Sequence, residues 1–159
     1  MKLRLFLVLA ILALVSFGDN SYAEESSSAT VAECLEMTRL AADMIVLDKD
    51  AALAEIAKPD GKFVWKDSYV FAMNLKGKML AHPMMPGLMK MDSLLGASDK
   101  NPSEPKMLFA EFVVMAGTKG EGWVEYMWPK PGESKPSKKE TYIYRVPDSS
   151  IFVGAGIYR

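Results

Sequence analysis

The sequence contains one cysteine and one histidine among 159 residues, so several kinds of chemistry have too few side chains to form. Cys34 has no disulfide partner within the chain, and a zinc site needs more cysteine and histidine ligands than one of each. The motifs of serine hydrolases, metalloproteases, phosphate-binding loops and dinucleotide-binding loops are also absent from the sequence. We therefore expect no enzymatic activity and no cofactor, and we interpret Cys34 as a small buried apolar residue.

The sequence also lacks an excess of charge of either sign. Lysine and arginine together number 19, and aspartate and glutamate together number 20. A protein that binds nucleic acid or an anionic lipid surface needs a basic patch that neutralises phosphates. This composition predicts that nucleic acid is not a partner.

Long hydrophobic runs are scarce, and the one that occurs is at the amino terminus. Lys2 and Arg4 precede an apolar run at residues 5–15, and the sequence Ser-Tyr-Ala that ends at Ala23 resembles a cleavage site. Because a membrane-spanning helix needs about 20 apolar residues, this pattern is typical of a secretory signal peptide cleaved after Ala23. We expect an exported, periplasmic protein with a single domain at residues 24–159, the alternative being that the signal segment is retained as a membrane anchor.

The exported part changes from a helical to a strand pattern near residue 60. Apolar residues recur at helical spacing from Thr30 to Lys58, which predicts a long amphipathic helix with a break near Asp48. The sequence Pro-Asp-Gly at residues 59–61 ends this helix. The elements predicted after it are strands at residues 69–74 and 79–82, a loop at 83–105, a helix at 107–116, and strands at 122–128, 140–146 and 151–158.

This order of elements predicts an α+β domain with a five-stranded antiparallel sheet. The long helix, within a helical part at residues 24–60, covers one face of the sheet. Residues 61–159 are expected to form the sheet and a pocket. The Met-rich loop and the short helix are the only pieces left to cover the other face of the sheet. A loop lid encloses a cavity more readily than a second packed helix does.

Four motifs in this region resemble those of small single Cache domains. They are a strand-turn-strand unit that ends in His82-Pro83, Gly-x-Gly-Trp-x-x-Tyr-x-Trp at 120–128, Lys-x-x-Tyr-Ile at 139–143, and Gly-x-Gly-Ile-Tyr at 154–158. The resemblance implies a PAS-like extracytoplasmic sensor fold that binds small organic ligands, often short carboxylates, in signal transduction or chemotaxis. Most such domains lie between two transmembrane helices of a chemoreceptor or histidine kinase. The expected partner is therefore a membrane receptor or kinase, and a homodimer through the N-terminal helix is an open alternative.

An organic anion held in a buried pocket needs at least one cation or several hydrogen-bond donors, because an unpaired buried charge is costly. Lys139 begins a predicted strand and is our first choice for that cation, with Arg145 on the same face as the second. The hydroxyl of Tyr126 or Tyr69 is expected to hold the polar end of the ligand with Lys139. The hydroxyl of Tyr142 is a further candidate donor.

The remaining pocket candidates are His82 and two tryptophans. His82 precedes Pro83, which favours an extended backbone, and its imidazole can donate to a carboxylate at the edge of the loop. Trp123 lies on one face of its strand, whereas Trp128 lies on the other face with Tyr126, and one of the two indoles is expected to form the apolar wall. Core packing for the aromatic residues and a solvated surface charge for the cations are the alternative explanations. Ligand binding is expected to order the loop.

The methionines near His82 support a different hypothesis. Thioether ligands select Cu(I), so Met84, Met85, Met89 and Met91 could form a copper site in an exported protein. Methionine is also a flexible filler of irregular cores, which explains the same residues without a metal. A module that binds no small ligand and serves only interactions is the third alternative.

Overall fold

The computed structural model describes residues 27–159. The predicted signal peptide and its cleavage site lie outside the described residues. Within residues 27–159, no helix is long and apolar enough to cross a membrane.

The N-terminal part forms two consecutive helices, as the sequence predicts. Helix α1 (Val31–Leu47) begins at a capping box, in which the Glu33 backbone N–H donates to the Thr30 hydroxyl and the Glu33 carboxylate accepts from the Thr30 backbone N–H at 2.7 Å. Helix α2 is Lys49–Ile56. Asp48 separates the helices because its backbone is extended (φ −151°, ψ 97°) and its carboxylate caps the start of α2. The predicted break near Asp48 is confirmed.

All strands pair in antiparallel fashion in the order β1-β2-β6-β5-β4, with β3 pairing to β2 on the same side as β1. The five predicted strands are present, and a two-residue strand adds a sixth. Their bounds are β1 (Val64–Trp65), β2 (Ser68–Asn74), β3 (Met79–Ala81), β4 (Glu121–Pro129), β5 (Pro136–Arg145) and β6 (Ile151–Tyr158).

Strand β5 begins earlier than the sequence predicts. The charged stretch at residues 136–139, expected to be mostly connector, pairs with residues 126–129 at the end of β4. Pro136 is tolerated because it is the first residue of the strand, where its missing N–H costs little. This extension brings Lys139 directly opposite Tyr126 on one side and Tyr158 on the other.

Each face of the sheet carries its own core. Helices α1 and α2 pack on one face, where Cys34 is fully buried among residues such as Ile45, Val70 and Val153. Helix α3 (Leu108–Thr118) and the preceding loop cover the other face and bury Phe112 and Phe152. This arrangement confirms the predicted α+β layers, with the long helix on one face and a lid of loop and short helix on the other.

The lid loop is hydrogen-bonded to the sheet at two places. Near its middle, after a 3-10 helix at Pro86–Lys90, the Leu94 N–H donates to the carbonyl of Gly77 in the β2–β3 turn at 2.8 Å. Further along, the buried carboxylate of Asp99 accepts from the N–H groups of Lys106 at 3.1 Å and Met127 at 2.9 Å. These bonds hold the lid against the sheet face that α3 covers.

Candidate functional site

A small cavity lies between the lid and the sheet. Its volume is about 10 Å³, which is room for a single water molecule. His82, Met79 and Leu108 contribute to its wall, and the rest of the wall is aromatic. The aromatic lining residues are Tyr69, Phe71, Phe109, Phe112, Tyr126 and Trp128.

Lys139 is buried at the polar end of this region. Its ammonium nitrogen lies 4.1 Å from the ring centroid of Tyr69 and 4.6 Å from that of Tyr158, and Nζ donates to the Tyr158 hydroxyl at 3.2 Å. Within residues 27–159, Lys139 forms no ion pair with a carboxylate. Burial lowers the pKa of Lys139 to about 7, although the nearby groups of Cys34 and Asp67 act in the opposite direction.

A glycine in the neighbouring strand lets Lys139 reach Tyr69. Lys139 lies on β5, Tyr69 lies on β2, and β6 separates the two strands. A Cβ atom on Gly156 of β6 would lie 2.9 Å from Cε of Lys139 and 2.3 Å from the Thr141 hydroxyl. Because glycine has no Cβ, the lysine side chain can cross β6 at this position.

His82 is neutral and has a defined tautomer. Its Nδ1 accepts hydrogen bonds from the backbone N–H groups of Met84 at 3.2 Å and Met85 at 3.0 Å. In a neutral imidazole the other nitrogen then carries the proton, so Nε2–H is a donor. Burial, with a smaller effect from the Lys139 charge, lowers the pKa of His82 to about 3. The ring packs 4.9 Å from the ring of Tyr69.

The buried tyrosines keep their hydroxyl protons. Burial raises the pKa of Tyr69 to about 12, although hydrogen bonds with Tyr158 and Trp128 act in the opposite direction. Burial also raises the pKa of Tyr126 well above its usual value. The Tyr126 hydroxyl is hydrogen-bonded to the Thr141 hydroxyl at 2.8 Å. The Tyr158 hydroxyl donates to the carbonyl of Pro129 at 2.7 Å, which leaves its oxygen to accept from Lys139. The region therefore combines one amine with several protonated hydroxyls.

The structure brings together five of the eight predicted pocket residues: His82, Lys139, Tyr126, Trp128 and Tyr69. The other three lie elsewhere, in each case for a reason of strand geometry.

The rings of Trp123 and Tyr142 contact each other at a centroid distance of 5.4 Å on the helix side of the sheet, where Trp123 packs against the core under α1. The Tyr142 hydroxyl donates to Glu121. Arg145 shares the parity of Lys139 but lies six residues further along β5, about 20 Å away, and its Nε donates to the Ser149 carbonyl. Lys139 is the predicted cation that lies near the cavity, because its amine is 4.1 Å from the ring centroid of Tyr69, a lining residue.

Sequence reasoning missed Tyr158, which contacts Lys139 more closely than most predicted residues do. The signal was present, because the short β5–β6 turn sets a register that places position 158 opposite position 139. Phe71, Phe109 and Phe112 were also missed as lining residues. Their positions depend on how α3 packs on the sheet, which the sequence pattern does not specify.

The methionines of the loop lie in different environments. Met84, Met85 and Met89 pack against the lid-side core, whereas Met91 is 48% exposed. His82 Nδ1 is occupied by two N–H donors and is not free to bind copper. In the part of the chain that the structure describes, no three His, Cys, Asp or Glu side chains form a group that could hold a metal ion.

The fold and the motifs agree with the comparisons to known proteins. A family model described as the Cache domain matches residues 48–159. The chain belongs to the Cache domain family. The solved structures similar to this Cache domain include a chemosensory domain and a periplasmic sensor domain.

Two solved structures and one chemoreceptor illustrate the relationship. A Cache chemosensory domain described for its carboxylic acid recognition has a TM-score of 0.68 and 25% identity, over 80% of this chain and 91% of that one. The periplasmic sensor domain of a chemotaxis protein has a TM-score of 0.62 and 26% identity, over 80% and 88%. The methyl-accepting chemotaxis protein McpP of Pseudomonas putida is 34% identical over 92 residues, which span 58% of this chain and 16% of the receptor.

Proposed function

We propose that this Cache domain is an extracytoplasmic sensor that binds a small monocarboxylate between its sheet and its lid. The observation that carries this proposal is the buried amine of Lys139, which lies in an aromatic enclosure without a carboxylate partner among residues 27–159. A carboxylate beside this nitrogen would supply the missing charge and accept a hydrogen bond from it.

The other groups around the cavity have matching roles. The Nε2–H of His82 and the hydroxyl of Tyr69 are donors that a second carboxylate oxygen could use. The rings of Phe71 and Phe112, which stack at 5.5 Å, provide an apolar surface for a short alkyl group. A ligand with one anionic end and one apolar end fits this distribution of groups.

The same lining disfavours an amino acid as ligand. An α-ammonium group needs a carboxylate or several carbonyl acceptors, because a buried unpaired cation is costly. None of the side chains described around the cavity is acidic. We therefore infer a preference for acids that lack an amine.

The ligand must also be small, and the enclosure must expand to admit it. A cavity of about 10 Å³ cannot hold even acetate without movement of its walls. The lid side chains packed against the core on this side of the sheet include Met84 and Met85, whose unbranched thioethers repack easily. We infer that binding shifts this part of the lid, and that a chemoreceptor or kinase in the membrane reads the change.

A thermal-shift and calorimetric comparison tests the binding function. Acetate and propionate should stabilise the purified protein, whereas acetamide and propionamide, which have similar shapes and no charge, should not. A ligand at 100 times its dissociation constant adds about 2.7 kcal/mol, which is a shift of several degrees. Glycine and alanine add an ammonium to the same acids and should bind more weakly.

Paired variants connect the binding to Lys139. Lys139→Met should abolish the response to acetate, and Lys138→Met should preserve it, because Lys138 is exposed and pairs with Glu125 at 2.8 Å. Equal shifts with acids and amides, or an acetate response that survives Lys139→Met, would contradict the assignment.

A further inference from the structure

Among residues 27–159, the amine of Lys139 has no carboxylate partner that compensates its charge. It is 1% exposed, and its hydrogen bond goes to a neutral hydroxyl, that of Tyr158. The two tyrosine rings beside it attract a cation, but this attraction is smaller than the cost of removing an ammonium from water. The free pocket therefore accommodates the neutral amine better than the ammonium.

The hydroxyl and thiol groups that face Lys139 do not titrate near neutral pH. Tyr69 of β2 has a pKa raised to about 12, and burial also raises the pKa values of Tyr126 on β4 and Tyr158 on β6. On the helix side, burial raises the pKa of the Cys34 thiol to about 11. These four groups stay protonated and neutral between pH 6 and pH 9.

His82 is also uncharged in this range, and Asp67 is paired with other residues. His82, after β3, is neutral because burial lowers its pKa to about 3. Asp67, in the β1–β2 turn, lies 3.8 Å from the ammonium of Lys130 and accepts from the backbone N–H of Ala29 at 2.7 Å. Of the described groups around the pocket whose pKa is shifted, Lys139 is thus the one whose protonation changes between pH 6 and pH 9.

A carboxylate beside Lys139 changes which form of the amine is favoured. In the bound state the carboxylate lies against the nitrogen, so the ammonium gains a charge-assisted hydrogen bond and the anion gains a counter-ion. Before binding, the species are a neutral amine, a free carboxylate and one proton. After binding, they form an ammonium–carboxylate pair. The proton comes from solvent and no covalent bond between heavy atoms changes.

We propose that the pocket takes up a monocarboxylate together with one proton, so that the domain responds to the weak acid rather than to the anion alone. This inference rests on the proposed function, because it concerns the same ligand and the same lysine. It predicts that affinity for the acid rises as the surroundings become more acidic, from about pH 9 down to about pH 7. Below pH 7 the dependence levels off, because Lys139 is then protonated before the ligand arrives.

Calorimetry of the purified protein with acetate measures the proton directly. The binding enthalpy at pH 8 is compared in buffers of different ionisation enthalpy, such as phosphate and Tris, and the slope gives the number of protons bound. We expect about 0.9 proton per acetate at pH 8 and a dissociation constant that rises about fifty-fold from pH 7 to pH 9. The dissociation constant should change less than three-fold from pH 5.5 to pH 6.5.

Two variants separate Lys139 from the rest of the protein. Lys139→Arg carries a permanent charge, so any acetate binding that it retains should take up no proton and be independent of pH. Lys138→Ala should reproduce the wild-type pH dependence. If Lys139→Arg does not fold, the proton count of the wild type still decides the question.

The possible outcomes distinguish proton uptake from the proposed function, which is carboxylate binding. Acetate binding with no proton uptake, or with an affinity that is constant from pH 7 to pH 9, would overturn proton coupling and leave the carboxylate sensor intact. Failure of acetate and propionate to bind at every pH from 6 to 9 would overturn both.

Discussion

Replacing Lys139 with methionine should make the free protein more stable while it removes ligand binding. Methionine has a similar length and volume, and it carries no charge into the enclosure formed by Tyr69 and Tyr158. A protein that buries a charge without a partner is commonly less stable than a variant with an apolar side chain of the same size at that position. The lysine is therefore expected to decrease stability in the absence of ligand.

The size of the effect follows from the pKa of Lys139. The usual value is 10.5 and the buried value is about 7, so the unfolded chain binds the proton more tightly than the folded one between these limits. Stability consequently rises as pH increases through this window. The lysine lowers the free energy of unfolding by about 4 kcal/mol at pH 7 and by about 2 kcal/mol at pH 9.

Urea denaturation of wild type and Lys139→Met at pH 7 and pH 9 tests this reasoning. The stability advantage of the variant should be about 2 kcal/mol larger at pH 7 than at pH 9, whatever constant change its packing introduces. Lys138→Met, the matched control at an exposed position, should show the same difference from wild type at both pH values. A Lys139→Met advantage that does not depend on pH would refute the conclusion that the buried amine loses its proton near neutrality.

Three further substitutions test the supports of the site. His82→Phe removes the acceptor of two backbone N–H groups and should cost about 2 kcal/mol in urea denaturation at pH 7. This deficit should shrink as pH falls below 6.5, because the buried wild-type imidazole, with a pKa of about 3, loses stability there as the unfolded chain takes up protons. Gly156→Ala would place a Cβ 2.5 Å from a backbone oxygen of β5 and should lower the melting temperature, whereas Gly87→Ala, with nothing within 4 Å, should not. Asp99→Ala should accelerate amide exchange at Met127 while protection in β6 persists.

Local patterns specified most of the fold because they depend on neighbours in the sequence. The helical spacing up to Lys58 and the break at Asp48 follow from residues within two or three turns of each other. Strand alternation likewise separated Trp123 from Tyr126 and Trp128, which lie on opposite faces of the sheet. These features needed no knowledge of tertiary packing.

The site was less predictable because it depends on register and on the position of the lid. Arg145 and Lys139 have the same parity, and only the location of the cavity along β5 distinguishes them. The burial of Asp99 against Met127 joins residues 28 positions apart, which no periodic pattern indicates. The register of the β5–β6 turn, by contrast, would have been sufficient to place Tyr158 beside Lys139, although the sequence reasoning missed this residue.

The free-energy cost of burying the charged amine of Lys139 links the unliganded pocket to binding of the proposed ligand. Without ligand, the domain has a cavity of about 10 Å³, and burial keeps the amine of Lys139 close to neutral. A carboxylate that enters with a proton restores the charge and relieves the cost of burying it, which favours opening of the enclosure. An acetamide of the same shape offers no such compensation, so it would have to expand the same walls without gaining an ion pair. The proposed selectivity for the acid thus rests on the unpaired state of Lys139 rather than on the size of the cavity.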